Sequence, residues 1–185
     1  FYKHPAKDVK TWGDYREQYL VNSLFEIMFD ERLAELGEKK SCPYMQAGAG
    51  YGGFLARPVA AYQMYVVAKE GKVMEALEAM MLENRRLQQH GFLQTELDRA
   101  KESLLERFER AAKEESKTES SRIAAELVDY FLENTPMPGA IIENKWAKAM
   151  MDGITLEEVN ALIGKWMTEE NFICTISMPE KKGVK

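Results

Sequence analysis

Histidine is nearly absent from this chain: 185 residues contain two, His4 and His90. Zinc held on one helix face needs paired imidazoles at HExxH or HxxEH spacing, and neither histidine has a partner at i+4. His90 instead reads as a helix C-terminal residue whose ring favours the negative end of the dipole. A Ser–His–Asp triad also lacks its parts: no serine sits in a GxSxG turn, and Ser23, Ser103 and Ser116 fall in helical or charged stretches. Cysteine is equally scarce. Cys42 and Cys174 lie far apart, outside any CxxC pair and away from histidine, so they read as separate buried thiols, with a disulfide between them as the alternative. No apolar run approaches 18 residues, so no membrane span is expected. No basic face exists either. The net charge is −5 with acids and bases interspersed, which argues against a nucleic-acid partner.

What is present is an ordinary globular composition, 45% hydrophobic and 30% charged, in a length that fits one domain spanning 1–185. The chain opens on Phe1-Tyr2-Lys3-His4-Pro5 without an initiator Met or a leader-like apolar segment, and so reads as processed or excised. A long helix is expected from Thr11, as its cap, to Leu36, with Gly37 in the left-handed stop position and Leu20, Leu24, Ile27 and Met28 as the buried stripe. Two antiparallel strands follow, Tyr44–Phe54 and Val59–Lys69, joined at Leu55-Ala56-Arg57. On the first, Met45, Ala47, Ala49 and Tyr51 share a face. On the second, Tyr62, Met64 and Val66 oppose Ala61, Tyr65 and Val67. Helices then dominate: one from about Lys72 to His90, one from Gln94 into the stretch Lys113–Lys117, and one marked by Ile123, Leu127, Val128 and Phe131 and stopped before Pro136. A short helix near Glu143–Met151 precedes a last one opened by the capping box Thr155–Glu158, stapled by Ile154 and Val159. Phe172–Met178 alternates as a strand returning to the sheet, and the polar tail from Pro179 to Lys185 reads as the start of a linker. The fold class is α+β, a two-layer sandwich with a small antiparallel sheet and several helices on one face.

The run Ala47-Gly48-Ala49-Gly50-Tyr51-Gly52-Gly53 has the look of a phosphate cradle, but a turn and another strand follow it, not a helix N-terminus. It reads as a strand with close backbone neighbours. Glu102, Glu106 and Glu109 sit beside Lys and Arg at helical spacing and read as surface pairs, and the eleven methionines are spread through core positions. No catalytic or metal-binding residue is assigned.

Several stretches resemble one family. Tyr15-Arg16-Glu17, Leu24-Phe25-Glu26-Ile27-Met28, Arg32-Leu33-Ala34-Glu35-Leu36 and Cys42-Pro43-Tyr44 are similar to the opening of a pitrilysin/insulinase-type domain. So are His90-Gly91-Phe92 with Glu96-Leu97-Asp98-Arg99-Ala100-Lys101, the run Lys117–Ser121, and the run Gly153–Asn160. The wording resembles the large bacterial branch, in which one chain carries four such domains. The resemblance implies an α/β sandwich that closes with its neighbours around an unfolded peptide. It places zinc, held by HxxEH and a distant Glu, in the catalytic domain of the parent protein, with no cofactor in this chain. It implies as partners that catalytic domain, the second half of the same protein and a peptide substrate, in a periplasmic or envelope setting. The family's last domain carries an Arg and, seven residues on, a Tyr that bind substrate. Here Tyr44 matches the Tyr, but Gly37 stands at the Arg position. The broken pair points to the second domain of the first half, a chamber and scaffold domain inactive by itself, with Tyr44 as a candidate substrate-binding residue. The alternative is the same fold as an inactive interaction subunit.

Lacking three convergent ligands, the chain should retain no stoichiometric zinc after dialysis. Metal analysis finding one tightly held ion per chain would show that the histidines or cysteines form a site.

Overall fold

The structure, a computed structural model, describes residues 1–168 and 170–178; the tail expected to begin a linker at Pro179 lies outside them. Thr11 caps the first helix as its sequence requires: its hydroxyl accepts from the Asp14 amide at 3.1 Å, and the Asp14 carboxylate accepts from the Thr11 amide at 3.0 Å. From there the chain is helical to Gly37, as α1 (Trp12–Tyr15), a π-helical segment (Arg16–Val21) and α2 (Asn22–Gly37). Gly37 closes the helix without a left-handed turn. That conformation belongs to Gly91, which has φ 67° and ends α3 (Val73–His90).

The sheet has three strands in the order β1-β3-β2, with β1 at Tyr2–Pro5, β2 at Tyr44–Phe54 and β3 at Ala56–Ala68. All pairs are antiparallel, and Tyr62 of β3 stands between Tyr2 and Tyr51. Leu55, at φ 59°, turns β2 directly into β3, so β3 begins three residues before Val59. A register shift between Tyr44 and Gln46 breaks the expected face. Met45 turns outward while Ala47, Ala49 and Tyr51 pack on the core with Tyr62, Met64 and Val66.

Tyr2–Pro5 form a strand that alternation over so short a stretch could not announce. The last expected strand is the converse. Phe172 bridges Tyr2, and the backbones of Phe1 and Ile173 exchange two hydrogen bonds of 2.9 Å, but no strand continues to Met178. Within this segment, pairing with Phe1 and Tyr2 is confined to Phe172 and Ile173. Cys174, expected to be buried, is exposed, whereas Cys42 is buried; both are free thiols.

The helical layer consists of α2, α3, α4 (Gln94–Glu114), α6 (Ala140–Met151) and α7 (Leu156–Trp166). α2 lies between the sheet and α4 and α7, so the expected stripe widens: Val21, Phe25, Phe29 and Leu33 are as buried as Leu20, Leu24, Ile27 and Met28. Arg32 ties this layer together. Its guanidinium grips both oxygens of Glu96 at 2.5 and 2.7 Å, donates to the Gly91 carbonyl at 2.9 Å and lies 4.8 Å from the centre of the Phe92 ring. At α7, Thr155 accepts from the Glu158 amide, while the Glu158 carboxylate is taken by Arg16 rather than returning to the cap. Ile154 and Val159 are buried as the staple requires.

The helix α5 (Ser120–Glu133) departs from expectation. Its apolar stripe of Ile123, Leu127, Val128 and Phe131 is exposed, and no residue of α5 is buried. The cause lies at its base. Glu115 accepts from the Ile141 amide at the start of α6, joining the ends of α4 and α6 and leaving the segment between them as an excursion. Asn134 in the left-handed region and Gly139 at φ 85° turn the chain back.

Leu24, fully buried in the core, sets the prediction for this architecture. Leu24→Ala should cost about 2–5 kcal/mol in chemical denaturation, and Phe131→Ala on the exposed helix less than about 0.5 kcal/mol. Equal losses at the two sites would contradict the layer arrangement.

Candidate functional site

Tyr44 opens β2 inside the protein. Its ring is 3% exposed and packs with Cys42 and Ala76, and its hydroxyl donates to the Leu33 carbonyl near the end of α2 at 2.8 Å. Burial, aided by Cys42, pushes its pKa up to about 12. The side chain fastens the start of β2 to the helix, and its polar atom is already used.

The residues beside it make the surface. Beyond the shift at Met45, β2 alternates Ala47, Ala49 and Tyr51 inward with Gly48, Gly50 and Gly52 outward. On the outer face Tyr65 lies so close over Gly48 that a Cβ there would meet its ring at 2.7 Å, while a Cβ on Gly52 would meet nothing within 4 Å. Gln46 donates to the Tyr65 hydroxyl at 3.1 Å and holds that ring along the strand. Tyr65 and Val67 remain half exposed. Tyr65 thus covers Gly48, which is buried, and the backbone lies bare only toward Gly52. On the other face, α2 approaches the free edge of β2, where Glu26 accepts from the Tyr51 amide at 2.8 Å and Asp30 from the Ala49 amide at 2.9 Å. Burial raises both carboxyl groups above their ordinary range.

The remaining candidates for chemistry are separated. His4 points inward, with Nε2 2.9 Å from the Trp166 carbonyl, whereas His90 is exposed at the end of α3. His4 lines a cavity of about 340 Å³ with Tyr51, Trp166, Glu17, Lys7 and Lys165. There Tyr51 and Trp166 stack at 4.7 Å, and Glu17 is paired with both lysines. Burial alone would raise Glu17, but Lys165 and Lys7 hold it below the ordinary carboxylate range. Among the described residues, no three His, Cys, Asp or Glu side chains converge as a metal would need, and no helix is long and apolar enough to cross a membrane.

Sequence reasoning located the glycine strand but missed the Tyr51–Trp166 stack and the carboxylate contacts. The i,i+4 pair Glu26 and Asp30, flanking the apolar run Ile27-Met28-Phe29, was the available signal. Its target was not, because only the packing of α2 places that pair beside β2.

No protein-family profile matches the chain. Over 181 residues, 98% of its length, it is 26% identical to a PQQL-like zinc protease of Arabidopsis thaliana, spanning 16% of that relative. Its fold matches the periplasmic protease PqqL of Escherichia coli with a TM-score of 0.81, at 22% identity over 92% of this chain and 18% of that one. The first half of the same protease, solved separately, matches with a TM-score of 0.79 and 23% identity, over 89% of this chain and 35% of that one. An insulinase family protease from Yersinia pestis matches at 0.73 and 13% identity, over 88% of this chain and 35% of that one. The chain thus corresponds to a domain-sized part of much longer proteins.

The geometry of Tyr44 sets two expected stabilities. Tyr44→Phe removes one hydrogen bond and should cost about 1 kcal/mol. Tyr44→Ala empties a packed site and should cost about 3–5 kcal/mol. Thermal denaturation showing no loss for Tyr44→Ala would return the residue to the surface.

Proposed function

From this kinship with the pitrilysin/insulinase-type zinc proteases, we propose that the chain is a chamber-lining, non-catalytic domain of a zinc metallopeptidase acting on peptides. Its place is the second domain of the first half. The observation that carries the reading is the sheet face where Tyr65 and Val67 stay half exposed and a Cβ on Gly52 would meet no neighbour within 4 Å. A sheet normally hides its apolar face under helices or covers the other with polar side chains. This one keeps a smooth face with Tyr65, Val67 and bare peptide groups, suited to an extended peptide or a neighbouring domain at close range. The uncovered apolar stripe of α5 points the same way, since such a helix is finished by something outside the domain.

Three further points support the inactive role. The sequence carries no HxxEH, Gly37 replaces the Arg of the family's substrate-binding pair, and Tyr44 has its hydroxyl engaged. Tyr44 then serves substrate indirectly, by fixing where β2 begins. Zinc and the peptide-cleaving groups belong to the catalytic domain of the parent. The second reading, an interaction subunit without peptidase activity, draws its support from α5. An HxxEH in the polypeptide preceding this region decides between the two.

The test uses the full-length protein. Gly52→Phe adds bulk where a Cβ meets no neighbour, so the melting temperature should hold while cleavage of long peptides falls roughly tenfold, as when a positioned substrate is displaced. Undiminished cleavage would remove this face from the chamber.

A further inference from the structure

Strand β2 lies at one end of the sheet order, so among the described residues one of its edges has no strand beside it. A free edge displays backbone amides and carbonyls on which another chain can build, and one rich in Gly and Ala has few side chains to hinder that. Its sequence, Tyr44 to Phe54, contains no charged residue. The usual protection by Lys or Glu on the strand itself is missing.

The protection comes from the helix. The Tyr51 amide donates to Glu26 at 2.8 Å, and the Ala49 amide donates to Asp30 at 2.9 Å. These two amides point off the sheet, since residues two apart on a strand share one direction. The spacing matches as well. Four residues of α-helix advance about 6 Å, and two residues of antiparallel strand advance about 6.8 Å. Consecutive turns of α2 can therefore serve alternate amides of β2, running in the opposite direction. The carboxylate oxygens stand where the carbonyl oxygens of an added strand would stand. A Cβ on Gly50, between the two amides, would lie 3.4 Å from the Glu26 carboxylate, so the carboxylate sits close against the strand there.

We propose that Glu26 and Asp30 act as a surrogate strand, closing the edge of β2 against strand addition by a second copy of this chain. The same bare edge on a second copy is the partner it would otherwise accept, since two identical edges can pair about a twofold axis. This inference does not depend on the chamber reading, because it concerns the edge of β2 and not its outer face.

The test compares Glu26→Ala/Asp30→Ala with Glu26→Gln/Asp30→Asn in the full-length protein, the latter keeping a carbonyl acceptor at each site. In the alanine pair, hydrogen exchange at Ala49 and Tyr51 should quicken roughly tenfold while Gly48 and Gly50 stay protected. Light scattering should show mass rising with concentration. The amide pair should behave as wild type in both measurements. Asp30→Ala alone, at an exposed side chain, should quicken Ala49 only and serves if the alanine pair fails to fold. Unchanged exchange would overturn the proposal, as would faster exchange without association. Association of the amide pair would show that charge, not occupancy, keeps the edge apart. Capture of an added extended peptide without self-association would also overturn the proposal and make the edge a peptide site.

Discussion

Burial of α2 on nearly every side is the constraint from which the rest of this structure follows. The helix carries Leu24, Phe25, Met28, Phe29 and Leu33 at full burial, and each such side chain removed from water contributes roughly 1.5–3 kcal/mol. No single neighbour can cover a helix that is apolar around most of its circumference. The sheet takes one side, and α4 and α7 take the other. The sheet need not be large to do this, since three strands are wide enough to receive one helix.

Covering α2 decides what stays uncovered. With the helical layer committed to one face, the opposite face of β2 and β3 leaves Tyr65 and Val67 half exposed and the backbone at Gly52 within reach. α5 is excluded from the layer because α4 and α6 meet at Glu115, and its apolar stripe stays outside. Both features are costly for a free-standing domain and unremarkable for one packed among others. That matches a chain spanning about a sixth of its Arabidopsis relative.

Polar interactions specify the geometry of this layer more than they stabilise it. Arg32 is held by Glu96, the Gly91 carbonyl and the Phe92 ring, which fixes the turn between α3 and α4 against α2. A paired charge of this kind contributes little net stability compared with a well-packed apolar substitute, yet removing one partner leaves the other stranded. Glu26 and Asp30 apply similar chemistry at the sheet edge, where backbone amides replace the cation as the partner.

The sequence by itself determined the elements whose periodicity is strong and local. The helices around Leu24, Leu87 and Leu97, the strands at Tyr44–Phe54 and Val59–Lys69, the cap at Thr11 and the stop at Gly91 all follow from side-chain spacing and backbone preference. The absence of an HxxEH and the family resemblance were also legible there. Tertiary structure alone decided which apolar faces find a partner. Ile123, Leu127 and Phe131 carry the same helical signal as buried stripes elsewhere, yet they lie exposed because their neighbours pair without them. It alone turned Tyr2–Pro5 into a strand, confined the pairing of Phe172–Met178 to Phe172 and Ile173 and buried Tyr44, since each depends on contact with a distant segment. Periodicity reports which face is apolar. What covers that face is settled by residues far away in the chain, and no local pattern encodes their arrival.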